Sequence, residues 1–156
     1  MTRRFVLSLV LLYVASVVVL GSITLLYNND PPPELRYVST TGSDSNSCEQ
    51  SKTIATAKRN LRGVNGALAC LGSGDILEIR DGVYTEIIAS TEIANGVSDE
   101  MRTVIRGQSR NAILRPSANV SQTGCTSCIV HIRDGSYIAI ETLTLDGTNK
   151  NDSAGV

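Results

Sequence analysis

Apolar residues alternate with polar or small ones in several short segments of the second half of the chain. The alternation is clearest at Leu77/Ile79, Val130/Ile132 and Ile138/Ile140, within the segments "ILEIR", "TVIRG", "IVHIR" and "YIAIETLTLDG". Alternation with period two, in segments rich in β-branched residues, is typical of strands, and the segments are too short for helices. The phase shifts between Ile140 and Leu143, which predicts a bend of the chain there.

A repeated phrase suggests how these strands are arranged. "ILEIRDGVYTEII", residues 76–88, returns as "IVHIRDGSYIAIE", residues 129–141, with seven of thirteen positions identical. The dipeptide Ile-Arg recurs at Ile79, Ile105 and Ile132, in steps of 26 and 27 residues, and a further isoleucine follows each by eight residues. Repeats of this kind bury their apolar faces by stacking on one another. We therefore predict an all-β parallel solenoid in which Ile79, Ile105 and Ile132 form one inward-facing stack.

An amphipathic segment precedes the first repeat. Apolar residues follow helical three-and-four spacing, Thr56 is a suitable N-cap, and basic residues occupy the other side; the apolar positions are Ile54, Leu61, Val64, Leu68 and Leu71. Gly63 and Gly66 lower the helix propensity of this segment. The pattern predicts an α-helix that caps the open end of the solenoid.

The N-terminal residues predict the cellular compartment. Residues 5–27 contain no charge and, as a helix of about 34 Å, would cross a hydrocarbon core of roughly 30 Å. Arg3 and Arg4 precede this run, so residues 1–4 are expected to stay in the cytoplasm and the remaining chain to lie outside it. Residues 28–35 then form a Pro-rich spacer, and 36–156 the solenoid domain. The alternative is a cleaved signal peptide and a secreted product.

Outside the cytoplasm, the four cysteines would be in an oxidising environment, where disulfides form. Cys48 and Cys70 bracket the predicted helix, and Cys125 and Cys128 form "CTSC". We expect two disulfides, Cys48–Cys70 and Cys125–Cys128. Free thiols, a four-cysteine metal site and a redox pair are the alternatives, although the last lacks the thioredoxin-like βαβ context that redox motifs require.

Several segments together resemble a known family. "YVSTTGSDSNSC", a helix, "CLGSGDILEIRDGVYTE" and "SYIAIETLTLDG" are similar to the start of right-handed parallel β-helix proteins of the pectin lyase-like group. The resemblance covers about residues 36–156 and implies a capping helix with the first coils. It also implies a function directed at polysaccharide, and for a longer protein a lyase or hydrolase activity whose catalytic coils follow residue 156. The alternative is a non-catalytic structural or adhesive solenoid.

Acidic and other polar residues yield few candidates for a catalytic or metal site. Asp81-Gly82 and Asp134-Gly135 are typical turn dipeptides. His131, the only histidine, aligns with an outward strand position, and Tyr84 and Tyr137 are expected to pack at turns. The weak candidates for a calcium site are Asp146, Asn149 and Asp152, so no cofactor is predicted, with Ca²⁺ considered only for a longer protein. Asn119 and Asn151 lie in glycosylation sequons.

Charge limits the partners that we expect. The formal net charge is −1, which gives no global attraction to nucleic acid. Arg80, Arg106 and Arg133 recur in register with the Ile-Arg repeat and would form an outward basic ladder able to hold an acidic polymer weakly. We expect no catalytic activity from these 156 residues, because no basic residue is placed beside an acidic cluster. The expected partners are a membrane, through the single predicted span, and a polysaccharide.

Overall fold

The computed structural model describes residues 31–117 and 128–148. Nearly all of the described residues belong to one compact unit that begins at Pro33. The described secondary structure consists of nine short strands and four single 3₁₀ turns, without an α-helix. The strands are β1 Leu35–Val38, β2 Ile76–Ile79, β3 Gly82–Tyr84, β4 Ile88–Ala89, β5 Thr103–Gly107, β6 Ala112–Leu114, β7 Val130–His131, β8 Ile138–Glu141 and β9 Thr144–Leu145. The 3₁₀ turns are Gln50–Lys52, Ile54–Thr56, Leu68–Cys70 and Ser90–Glu92.

All strand pairs are parallel, and they form three small sheets. The four-stranded sheet has the order β1-β2-β5-β8, the three-stranded sheet the order β3-β6-β9, and the two-stranded sheet pairs β4 with β7. In each sheet the strands follow one another in chain order. Each connection therefore leaves a sheet and returns to it one strand further on, as parallel pairing requires.

Alternation within the strands separates an inner from an outer face of the four-stranded sheet. Arg36, Leu77, Ile105 and Ile140 occupy one inward register column, and Leu77 and Ile105 are fully buried. The other fully or almost fully buried apolar side chains come from all three sheets and from the segment before β2; they include Val38, Leu61, Leu68, Ile79, Ile88, Ala112 and Leu114. One core is thus shared by the three sheets and the segment before β2.

Residues 44–70 cover the β1 end of this core. Lys58 pairs with Val38 as an isolated parallel bridge, with its backbone N–H donating to Tyr37 and its carbonyl accepting from Ser39. The predicted disulfide Cys48–Cys70 is present, with its Cα atoms 5.2 Å apart. In the chain-entropy model a loop of this length contributes roughly 3 kcal/mol. Residues 44–70 are therefore held in place by a disulfide and by backbone hydrogen bonds rather than by helix formation.

The predicted capping helix is wrong. Ile54 and Leu68 lie in separate 3₁₀ turns, and the residues between them are irregular. Gly63 adopts φ +89°, a left-handed conformation that ends a right-handed helix. Val64, placed on the apolar helix face by the sequence pattern, is 93% exposed. The carboxylate of Glu86 instead accepts hydrogen bonds from the backbone N–H groups of Leu61 and Arg62, at 2.8 and 3.0 Å.

The predicted right-handed parallel β-helix is also corrected, because the described residues form short parallel strands in three small sheets. Ile105 pairs with Leu77 rather than Ile79, and Ile132 lies in none of the sheets and is 42% exposed. The predicted stack of Ile79, Ile105 and Ile132 is therefore not formed. In addition, no described residue between β4 and β7 adds a strand to the two-stranded sheet, so the three sheets differ in their number of strands.

The single-pass membrane localisation is corrected as well. Among the residues that the structure describes, no helix has the length and apolar character needed to span a bilayer. The run at residues 5–27 on which that localisation was based lies outside the described residues, as does the predicted tail at 1–4.

Candidate functional site

The outer face of the four-stranded sheet carries a column of polar side chains that crosses every strand. Tyr37, Glu78, Arg106 and Glu141 are successive register partners in β1, β2, β5 and β8. Each is the third or fourth residue of its strand and points away from the core because the inward positions alternate with it. We call these four residues the outer column.

Opposite charges contact one another within the outer column. Glu78 Oε1 lies 3.0 Å from Nη1 of Arg80, and Glu78 Oε2 lies 3.1 Å from Nη2 of Arg106. Glu78 therefore contacts Arg80, which follows its own strand, and Arg106 on the next strand, and the Glu78–Arg106 contact is a favourable cross-strand pair. The Arg106 side chain is 38% exposed, and its guanidinium has five N–H donors, so it retains donors for a ligand.

An apolar column runs beside the outer column. Leu35, Ile76, Val104 and Ala139 are register partners two residues earlier in the same strands, and all are partly exposed. A groove of about 210 Å³ is lined by three members of this apolar column, Ile76, Val104 and Ala139, and by the bend at 99–102. Polar and apolar groups are thereby presented side by side over the width of the sheet.

The bend beside the groove is held by local bonds. The Ser98 hydroxyl accepts from the backbone N–H groups of Glu100 and Met101, both at 3.2 Å, and donates to Glu100 Oε2 at 2.8 Å. Arg102 and Asp99 form an ion pair at 2.9 Å. These bonds fix one wall of the groove relative to β5, which begins immediately after the bend.

The three arginines of the predicted basic ladder do not share one column. Arg80 and Arg106 both contact Glu78, while Arg133 follows β7 and lies 3.6 Å from Asp134. The Ile-Arg repeat therefore brings only two of the three together. Binding of a polymer by these residues stays a prediction.

The turn aspartates and the other polar candidates lie apart from the outer column. Asp81 accepts a hydrogen bond from the Ser109 hydroxyl at 2.9 Å, whereas Asp134 is exposed in a left-handed conformation, φ +57°. His131 is partly exposed in β7. The structure does not bring these three residues together, and the described residues contain no group of three metal-binding side chains.

The two candidate tyrosines have different environments. Tyr84 is buried, and its hydroxyl donates to the backbone carbonyl of Arg80 at 2.9 Å. Burial raises the pKa of Tyr84 to about 12, so it stays protonated as a structural donor. Tyr137 is 46% exposed and lies immediately before β8, in a left-handed conformation.

Both carboxylate oxygens of Asp146, the first candidate for the weak calcium site, accept hydrogen bonds from protein groups. Its Oδ1 accepts from the backbone N–H of Thr148 at 3.0 Å, and its Oδ2 from Nε of Arg115 at 2.7 Å. The other members of that candidate set, Asn149 and Asp152, lie outside the described residues, as do the sequon residues Asn119 and Asn151. Cys128 is disulfide-bonded, and Cys125 is also outside the described residues, so the Cys125–Cys128 pairing stays a prediction.

Stability should depend on the ionisation of Asp146. Hydrogen bonds from Thr148, and then from Arg115, lower the pKa of this carboxyl to about 2 from its ordinary 3.8. A lowered pKa stabilises the fold above the unfolded value, and this stabilisation is lost as pH falls from about 4 towards 2. We expect Asp146→Asn to lower the melting temperature at pH 7 and to melt like the native chain near pH 2. Thermal melts over this range check it, and a difference independent of pH would contradict it.

Comparison with known proteins gives no further evidence about this site. No family model matches the sequence, and no curated protein and no solved structure shows significant similarity to it.

Proposed function

We propose that the chain binds a polysaccharide along the outer face of its four-stranded sheet. The observation that carries the proposal is the outer column, Tyr37, Glu78, Arg106 and Glu141, running beside an apolar column and a groove. Carboxylates accept hydrogen bonds from sugar hydroxyls, and a guanidinium donates to them. The apolar column and the ring of Tyr37 offer contact area to the C–H faces of sugar rings.

The charges on this face favour a hydroxyl-rich polymer over a strongly acidic one. Arg80 and Arg106 are already paired with Glu78, and Glu141 and Glu100 add negative charge at the groove. An acidic polymer would have to displace the Glu78 carboxylate from its partners. A near-neutral polysaccharide would bind without breaking those pairs, and its binding would depend little on salt.

Arg106 provides the main test, with Arg133 as its matched control. Arg106→Ala should weaken polysaccharide binding about tenfold, because a hydrogen bond from a charged donor contributes about 1.5 kcal/mol. Arg133→Ala should leave the affinity unchanged, since Arg133 lies outside the outer column. Binding to a panel of neutral and acidic polysaccharides, measured by affinity electrophoresis at low and high salt, checks both expectations.

A structural role without a ligand is the second candidate. It is favoured by the Glu78–Arg106 ion pair, which joins β2 to β5. In that case no polysaccharide in the panel would bind. Arg106→Ala would then lower only the melting temperature. Equal loss of binding in Arg106→Ala and Arg133→Ala would contradict the assignment of the ligand to the outer face.

A further inference from the structure

The sequence contains two Asn-Gly dipeptides, Asn65-Gly66 and Asn95-Gly96. Glycine has no side chain to shield its backbone nitrogen, so in this dipeptide the nitrogen can attack the asparagine side chain when the local backbone is free to rearrange. Both asparagines are exposed. The two dipeptides differ in the hydrogen bonds that hold them, so a difference in their reactivity in the folded chain reports the structure around each.

Asn95-Gly96 is held at both of its reacting groups. Asn95 Oδ1 accepts a hydrogen bond from the backbone N–H of Ser136 at 3.0 Å, and the backbone N–H of Gly96 donates to the Ser136 carbonyl at 3.1 Å. These bonds join parts of the chain that are 41 residues apart. Both must break before the Asn95 side chain and the Gly96 nitrogen can rearrange, so exposure alone does not make this dipeptide reactive.

Asn65-Gly66 lies at the tip of an exposed turn, and the Asn65 side chain is not held. The backbone N–H of Gly66 donates to the Gly63 carbonyl at 2.9 Å, within the turn itself. No residue in the described part of the chain forms a hydrogen bond with the Asn65 amide. The neighbouring Val64 is 93% exposed. Opening of this turn therefore breaks one local bond and uncovers little apolar surface, the conditions under which local unfolding costs least.

The base of the same turn is fixed, and the fold requires glycine there. The backbone N–H of Leu68 donates to the Leu61 carbonyl at 2.9 Å, and the Leu68 side chain is fully buried. A Cβ at Gly66 would overlap the carbonyl oxygen of Arg62. The fold thus keeps glycine directly after Asn65 and leaves the asparagine itself free.

We propose that Asn65 is a site of spontaneous deamidation, at which the chain modifies itself. The Gly66 backbone nitrogen attacks Asn65 Cγ. The N–Cγ bond forms, the Cγ–Nδ2 bond breaks, and the proton of the Gly66 nitrogen leaves with the side-chain amide as ammonia. Water then opens the cyclic imide at either of its carbonyls and yields aspartate or isoaspartate. The reaction consumes only water, and the proposal is independent of ligand binding on the outer face.

The two products change the turn in different ways. Both place a negative charge beside Val64, which with Gly63 and residues 91–94 lines a groove on this side of the molecule. In the isoaspartyl product the main chain also runs through the side-chain methylene of residue 65. The backbone between the Gly63 carbonyl and the fixed base of the turn is then longer, so the modified turn fits its hydrogen bonds less well.

The rates at the two dipeptides provide the test, with Asn95 as the internal control. The folded chain is incubated in mildly alkaline buffer, and peptide mapping by mass spectrometry follows the conversion of amide to acid at each site. Asn65 should react about tenfold faster than Asn95, because opening at Asn95 breaks an additional hydrogen bond. In urea, with the disulfides reduced, the two rates should become similar, since the unfolded chain holds neither dipeptide.

Asn65→Gln checks that the chemistry is the one proposed. Glutamine must close a six-membered imide, which forms far more slowly, so this variant should stay unmodified at position 65 and react at Asn95 with the native rate. Equal rates at the two sites of the folded chain, or a faster reaction at Asn95, would overturn the proposal. A difference that persists in urea would overturn it too, because the neighbouring sequence and not the fold would then be the cause.

Discussion

Replacing Ile105 with aspartate is expected to unfold the domain at room temperature. The Ile105 side chain is fully buried in the inward column between Leu77 and Ile140. An unpaired carboxylate there, added to the loss of apolar packing, costs on the order of 5 kcal/mol or more, comparable with the whole stability of a small domain. Circular dichroism and urea titration of the variant should show no cooperative transition.

Ile132→Asp is the informative control, because the sequence repeat gives Ile105 and Ile132 the same role. Ile132 is 42% exposed and belongs to no sheet, so its replacement should change the free energy of unfolding by less than about 1 kcal/mol. Unfolding of both variants would show that Ile132 is also part of the core. A native melt for Ile105→Asp would show that the inward column is not buried.

Several strand positions follow from short-range information and are predicted by alternation, although the prediction at Val130/Ile132 fails because β7 ends at His131. Alternation at Leu77/Ile79 and Ile138/Ile140 is confirmed by β2 and β8, since alternate burial is a property of neighbouring residues. The phase shift between Ile140 and Leu143 is confirmed too, because Thr142 adopts φ +53° between β8 and β9. The Cys48–Cys70 disulfide is confirmed too, although the helix that these cysteines were expected to bracket is absent.

The pairing register between strands was not predictable, because it depends on the lengths of the connecting loops, and these lengths differ. Tyr37, Glu78, Arg106 and Glu141 are separated by 41, 28 and 35 residues, so no constant period aligns them. The repeated phrase illustrates the error. Its first copy supplies β2, β3 and β4, whereas its second supplies β7 and β8, which belong to different sheets. Similar local sequence produced similar strands in non-equivalent positions.

The candidate site could not be predicted from the sequence, for the same reason. Glu78 and Arg106 each occupy an outward strand position that alternation predicts, but their contact appears only when the register is known. The three arginines of the Ile-Arg repeat were grouped by a period that the fold does not keep. A search for opposite charges at outward positions of successive strands could have found the pair, at the cost of many false matches.

Gly107→Ala should produce the second large effect. Gly107 ends β5 and is buried, and a Cβ there would overlap the backbone carbonyl oxygen of Thr142. The same Cβ would lie 2.8 Å from the Ser109 carbonyl oxygen and 2.9 Å from the Ala112 Cβ. Because two of these neighbours are backbone atoms, relief requires β5 to move away from the bend that follows β8. We expect a loss of about 3 kcal/mol, at the upper end of overpacking effects.

Two further variants separate this steric cause from a general effect of adding a methyl group. Gly147→Ala is the matched control, since a Cβ there meets no atom of the described residues within 4 Å, and it should change stability by about 0.5 kcal/mol or less. Thr142→Gly removes a left-handed non-glycine residue, whose conformation costs about 1 kcal/mol, and lets the carbonyl at that position shift. Combined with Gly107→Ala it should recover part of the lost stability, a coupling that urea titration of the four-member cycle would measure. Strictly additive effects would show that Gly107 and the Thr142 bend do not compete for the same space.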